Sequence, residues 1–287
     1  MGFVIIGPMI GLLLAMPFVD GSFMDFLLNA SDPMSHPELK APLFIVQGCA
    51  TLFGLIVIPA LYVFSIERKN PFQLVNQRPV YGIMLLITAG ITISFMATNS
   101  VFIDWNANLQ LPESLKGLQD WAKEKEDLAA EITKFLTQFN SFGEFAFAFL
   151  VIAILPGIGE ELVFRGLLQP ELHRATKNIH VAIWLSAIMF SAIHMQFFGF
   201  VPRVLLGALF GYLYYWSGDL RMSMFAHFVN NGFSVLMIYL NQLKIVDMDM
   251  EAPEAAPWPA VVGFTIVTFV LLVYLKKFYE ARNSSLQ

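Results

Sequence analysis

Two adjacent glutamates and an arginine, Glu160, Glu161 and Arg165, stand inside the apolar run LPGIGEELVFRGLL at residues 155–168. An ionisable side chain at the centre of a bilayer costs roughly 2.5–3.5 kcal/mol on insertion scales, so such residues persist where they pair, face a cavity or carry chemistry. Glu161 and Arg165 are four apart with the acid first, the favourable order for an ion pair along one helix face. Glu160 lies about 100° from Glu161 round the helix, has no such partner, and is the carboxyl suited to acid or base work. Two more apolar stretches carry polar side chains within pairs at the same spacing: His194 four residues after Phe190 in FSAIH, and His227 with Asn231 in HFVNN. Asn230 is rotated off the face shared by His227 and Asn231 and stands outside the expected site.

Glu160, His194, His227 and Asn231 come from three apolar segments, and only a shared internal cavity gives them partners away from lipid. As a set they are sufficient for peptide hydrolysis by activated water. Glu160 is the expected general base and His194 the group that holds the same water. His227 and Asn231 are the expected donors to the oxyanion of the tetrahedral intermediate. No nucleophilic side chain is required: Ser191 is out of register with His194, and Cys49, the single cysteine, has no helper nearby in sequence. No cofactor is expected. The alternative is a zinc held by Glu160, His194 and His227 with an open fourth position, although the chain contains no HExxH.

Such residues need membrane-crossing helices to hold them. Of 287 residues 57% are hydrophobic and 14% charged, where ordinary soluble domains are about 25% charged. The expected fold class is all-α, a polytopic membrane helix bundle of about eight spans, at residues 3–19, 43–66, 80–102, 144–168, 181–200, 204–216, 222–240 and 259–275. The first run lacks the basic start of a signal peptide and is read as a retained span. Gly207 and Gly211 in LLGALFG are spaced for close approach of a second helix. Between the third and fourth spans, residues 104–141 show mixed charges with apolar residues at helical spacing. They predict an amphipathic helix at the membrane surface, read as a connector in preference to a substrate gate. Three regions follow: 1–141, the first spans plus this amphipathic segment; 142–240, the core with the polar set; and 241–287, a loop, the last span and a tail. A net charge of -5 leaves no basic footprint for nucleic acid, so membrane lipid is the expected surround.

Lysine and arginine in short loops set orientation. Arg68, Lys69, Arg78, Arg174, Lys177, Arg221, Lys276, Lys277 and Arg282 fall on one side of an eight-span chain. The opposite short loops carry Lys40, Arg203 and Lys244 among Asp20, Asp25, Asp32, Glu38, Asp247, Asp249, Glu251 and Glu254. The 104–141 segment, with four lysines, is set aside as a long loop. Both termini are then cytoplasmic, in the plasma (inner) membrane, with Glu160 about two turns from the cytoplasmic end of its span and the site open to the cytosol. His173 and His180 sit in a basic loop and are read as solvated.

EELVFR at 160–165, FSAIH at 190–194 and HFVNN at 227–231 resemble, in order, the motifs EExxxR, FxxxH and HxxxN of the CAAX prenyl endopeptidase and bacteriocin-processing family, the type II CAAX or Abi proteases. The resemblance covers about residues 142–240. It implies an all-helical intramembrane protease opening to the cytosol, in which Glu160 and His194 activate water, His227 and Asn231 form the oxyanion hole, and Glu161 and Arg165 support the first glutamate. The implied substrate is a membrane-associated peptide or lipidated protein, of the prenylated CAAX kind in eukaryotic members, cut near its carboxy terminus. The phrasing EELVFRGLL and LLGALFGYLYYWSG resembles bacterial-type members, associated with processing of, or immunity toward, small peptides. A non-catalytic scaffold or immunity protein of the same fold is the alternative; a transporter relaying protons would show paired broken helices, and the sequence has one obvious break, at Pro156.

Overall fold

The computed structural model describes residues 2–75, 78–247 and 255–285; Asp249, Glu251 and Glu254 of the acidic loop lie outside them. Among the described residues every regular element is helical. The elements that matter here are α1 (Gly2–Ala15), α2 (Phe23–Asn29), α3 (Pro37–Ser65), α4 (Gly82–Ala107), α5 (Lys116–Leu136), α6 (Phe142–Thr176), α7 (Ile179–Ala192), α8 (Phe200–Ser217), α9 (Leu220–Gln242) and α10 (Trp258–Ser285). The chain is an all-α membrane helix bundle. Four of its helices, α3, α4, α6 and most of α10, are long and apolar enough to cross a bilayer, and a fifth crossing results if the bent α1–α2 pair is one span. The expected eight therefore exceed the number that length and apolarity support. The helix α7 has only 14 residues, α8 carries Arg203, and α9 carries His227 and Asn231.

Two groups of contacts gather the helix ends. At one end Asp219 accepts the Arg78 N–H at 2.9 Å, and Arg282 lies over the Tyr81 ring at 4.6 Å. At the other, Lys40 bonds Glu144 at 2.6 Å and also the Gln138 carbonyl. There Gln242 donates to the Thr137 carbonyl at 2.7 Å and accepts the Phe139 N–H at 3.0 Å, so α3, α6 and α9 all begin or end beside the segment that carries α5.

The helix that carries the glutamates is irregular for reasons its sequence supplies. Ser141 caps its start, accepting the Glu144 N–H at 3.2 Å. Two π-helical stretches, Leu150–Ile154 and Leu162–Leu168, flank the α-helical Leu155–Glu161. Pro156 has no N–H to give the carbonyl of Ile152 four residues back, and that carbonyl instead accepts from Asn231 of α9 at 3.1 Å. Glycines then let neighbours approach: a Cβ at Gly159 would lie 2.9 Å from Leu55 Cβ on α3, and one at Gly157 would lie 3.1 Å from the Phe228 nitrogen on α9. The helix ends at Thr176, where Lys177 takes a left-handed conformation with φ 57°.

This length corrects the expected depth of the site. The sequence reading stopped the span at 168 because Arg174 and His173 look like loop; they form the last helical turn instead. Glu160 is thus mid-helix, about 24 Å from Thr176 at 1.5 Å per residue. The positive-charge argument weakens as well. The chain between α4 and α6 is shorter than the roughly 60 residues up to which the rule counts loops. Counting its four lysines sets the nine basic residues of one end against seven at the other.

If α3 packs on α6 as described, Gly159→Ala lowers stability by about 1–3 kcal/mol through overpacking. Gly82→Ala, with nothing within 4 Å of its Cβ, is the neutral control. Detergent-solubilised thermal unfolding measures both, and an unperturbed Gly159→Ala would show that the contact is absent.

Candidate active site

The paired charges are fully buried. Arg165 donates Nη1 to Glu161 Oε1 at 2.7 Å, with both side chains 0% exposed. Its Nη2 donates to the Gly207 carbonyl on α8 at 2.7 Å, and its guanidinium lies over the rings of Phe190, at 4.8 Å, and Phe210, at 5.6 Å. A side chain at position 207 would put a Cβ 3.1 Å from Arg165 Nη2, so the glycine leaves the carbonyl reachable. One turn on, Gln169 donates to the Gly211 carbonyl at 3.3 Å, which makes the expected glycine pair a seam of hydrogen bonds between α6 and α8.

Glu161 also meets His227, whose Nδ1 lies 2.8 Å from the same Oε1. A carboxylate beside an arginine only accepts, so Nδ1 carries the hydrogen and Nε2 is left for chemistry. That Nε2 stands 3.7 Å from Glu160 Oε2. His194 is set in the same manner: its Nδ1 donates to the Phe190 carbonyl at 2.8 Å, leaving Nε2 available. Phe190 is therefore more than spacing in the FxxxH pattern. Its carbonyl orients one histidine and its ring covers the buried arginine.

Glu160, His194, His227 and Asn231 all line one cavity of about 490 Å³. Glu161 and Arg165 lie behind it, and Asn231 spends one of its two amide hydrogens on Ile152. The cavity occupies the half of the bundle nearer α5, because its wall includes Gly199, Arg203 and Asn99, and the loop before α8 is tied to α5 by the Phe198 N–H on Glu126 at 2.8 Å. An outer 104–141 segment therefore places the cavity in the half of the bundle away from the cytosol. His173 and His180 are both exposed, and His180 is also bonded to the Tyr212 hydroxyl at 2.9 Å.

Several cavity residues escaped the sequence reading. Asn230, set aside as rotated away, is on the wall and donates to Asn231 Oδ1 at 3.0 Å. Arg203, counted only as a loop charge, also lines it, with Gln47 and Asn99. A polar residue inside an apolar span was the available signal for Gln47 and Asn99; nothing local marked Arg203. Among the described residues no three His, Cys, Asp or Glu side chains are disposed to hold a metal ion. Both histidines are anchored through Nδ1, which leaves each Nε2 free.

Residues 142–233 match the family model of type II CAAX prenyl endopeptidase Rce1-like proteins. This segment is similar to that family. The uncharacterized protein YpbD of Bacillus subtilis (strain 168) is 29% identical over 84 residues, 28% of this chain and 40% of that relative, so the match spans less than half of the relative's length. No solved structure matches the chain. The matched segment contains Glu160, Glu161, Arg165, His194, His227 and Asn231; Asn99 and Gln47 reach the cavity from helices outside it.

Removing one member of the buried pair strands its partner's charge, at about 3–5 kcal/mol. Arg165→Met and Glu161→Gln each lower stability by that order, and the double variant recovers much of the loss. Strictly additive losses in thermal unfolding would show that the two side chains do not act as a pair.

Proposed function

We propose that the cavity is the active site of an intramembrane endopeptidase that cuts near the carboxy terminus of a membrane-associated peptide or protein, a class that includes prenylated CAAX substrates. The observation that carries this reading is the shared wall of Glu160, His194, His227 and Asn231, with each histidine anchored through Nδ1. Glu160 takes a proton from a water held by His194 Nε2, and the resulting hydroxide adds to the scissile carbonyl. The oxyanion is met by the second amide hydrogen of Asn231 and by His227 in its imidazolium form. Glu161 stands at Nδ1 of that ring and Glu160 near its Nε2. Glu160 then returns its proton to the leaving amine. Glu161 and Arg165 touch no substrate; they hold His227 and the helix. The reaction so written needs no metal.

The experiment is cleavage of quenched-fluorescence peptides, with and without a farnesylated terminal cysteine, by purified protein in detergent. Glu160→Gln and His194→Ala each lower turnover by at least about 10²-fold while melting like the wild type. Wild-type turnover in either variant would end this mechanism. Activity that chelator removes and zinc restores would replace water activation with metal ligation.

Both termini stay cytoplasmic in this reading, as the short-loop charges indicate, with α5 on the other face of the inner membrane. A cysteine at Lys125 on α5, in a Cys49→Ser background, is then labelled in intact cells by a membrane-impermeant maleimide. Protection from the label would turn the bundle over and put the half that holds the cavity on the cytosolic side.

A further inference from the structure

Two residues of the cavity wall each carry a buried side-chain atom with no hydrogen-bond partner among the described residues: Arg203 Nη1, a donor, and Asn99 Oδ1, an acceptor. Each such atom costs about 1–3 kcal/mol, so two of opposite kind on one wall fit a ligand that offers an acceptor and a donor together. Their relation is fixed. Asn99, 1% exposed, donates Nδ2 to the carbonyl of Pro202 at 3.1 Å, and Pro202 precedes Arg203. A carbonyl only accepts, so this bond also fixes which end of the amide is the oxygen.

Two carboxylates act on Arg203, that of Glu126 and, more weakly, that of Glu160. Arg203 Nη2 is used on Gln196 Oε1. Glu126 of α5 comes near across Gly199, where a Cβ would lie 3.3 Å from Arg203 Nη2 and 3.5 Å from Glu126 Oε1. Glu126 is a weak counter-ion, however. Burial pushes its carboxyl above the usual range, against the opposing pull of the Phe198 N–H and of Arg203 itself.

Resting on the peptidase reading above, we propose that Arg203 and Asn99 form the seat for the substrate's carboxy-terminal residue. The α-carboxylate binds Arg203 Nη1, and the amide N–H of the same residue binds Asn99 Oδ1. A peptide amide offers no charge there, and an acidic side chain does not hold its carboxylate at a fixed distance from its own N–H. The bond that is cut is then set by the number of residues between this seat and Glu160 with His194. Only a short carboxy-terminal piece is released.

The test uses full-length protein in detergent and a fluorescent peptide in three forms: the free acid, the terminal amide, and the amide ending in Asp. Binding is read by anisotropy in Glu160→Gln, where turnover is blocked, and cleavage in proteins with Glu160 intact. The acid binds at least about tenfold more tightly than the amide, the scale of a charge-assisted hydrogen bond. That ratio falls to about one when Arg203→Gln is added, and Arg203→Lys keeps part of it. Equal affinity for acid and amide, or a ratio that Arg203→Gln leaves unchanged, overturns the seat. An Asp amide that matches the acid overturns the α-carboxylate assignment in favour of acidic side chains. Thermal melts check folding, and Arg203→Lys carries the test if Arg203→Gln fails to fold. The two proposals fail separately: a tenfold ratio in binding with no cleavage of any form retires the peptidase and keeps the seat, while cleavage without acid preference does the reverse.

Discussion

A guanidinium and a carboxylate, both fully buried in a bilayer-spanning helix, constrain everything around them. Taking two charges out of water costs several kcal/mol each, and their mutual attraction offsets this only with good geometry and further hydrogen bonds. Here those bonds lead outward. Arg165 reaches the backbone of α8 at Gly207, and Glu161 reaches the ring of His227 on α9. The pair therefore fixes three helices relative to one another and sets the tautomer of a histidine at the site in the same act. Little net stability follows from such a pair; specificity of arrangement does. The rings of Phe190 and Phe210, which cover the guanidinium, also contact the two histidines.

The glutamate helix achieves this by departing from regular geometry. A π-helical stretch on each side of Glu160 and Glu161 changes the angular relation of residues along the helix, a device common where function needs side chains re-aimed. The proline between them releases a carbonyl, and the released carbonyl is what holds Asn231. Pro156 thus acts on the cavity through a backbone oxygen on one helix and an amide on another. The sequence shows the break and shows the asparagine, and gives no sign that one satisfies the other.

That separation describes what was legible and what was not. Residues four apart on one helix were readable, because helical period alone puts Glu161 with Arg165 and His227 with Asn231. The gathering of three helices round one cavity was readable too, since isolated polar groups in lipid are expensive. The all-α membrane class followed from composition. Contacts between helices at their ends were beyond reach. Arg203 sits one turn into α8, and before the fold is known it is simply a charge at the edge of an apolar run. Asn230 was misplaced by treating α9 as a narrow stripe, whereas a cavity wall spans more of a helix than one row of side chains. The end of α6 was lost because a basic, polar last turn reads like loop when only apolarity defines the span, and the depth of Glu160 was lost with it.

The corrected depth changes the meaning of α5. As a connector it would owe nothing to the site, yet Glu126 holds the loop before α8 through the Phe198 N–H and stands across Gly199 from Arg203. A site that activates water with a carboxylate repels the negative end of a peptide, and repulsion in a poorly solvated cavity is strong. A cation elsewhere on the wall offsets it, provided that no nearby acid neutralises that cation fully. Glu126 meets this condition because its carboxyl is partly buried and its Oε2 is already bonded to backbone. On the proposed reading, the amphipathic helix and the catalytic helix share one electrostatic problem. The first keeps a positive charge in place and incompletely paired, so that the second can keep a negative one.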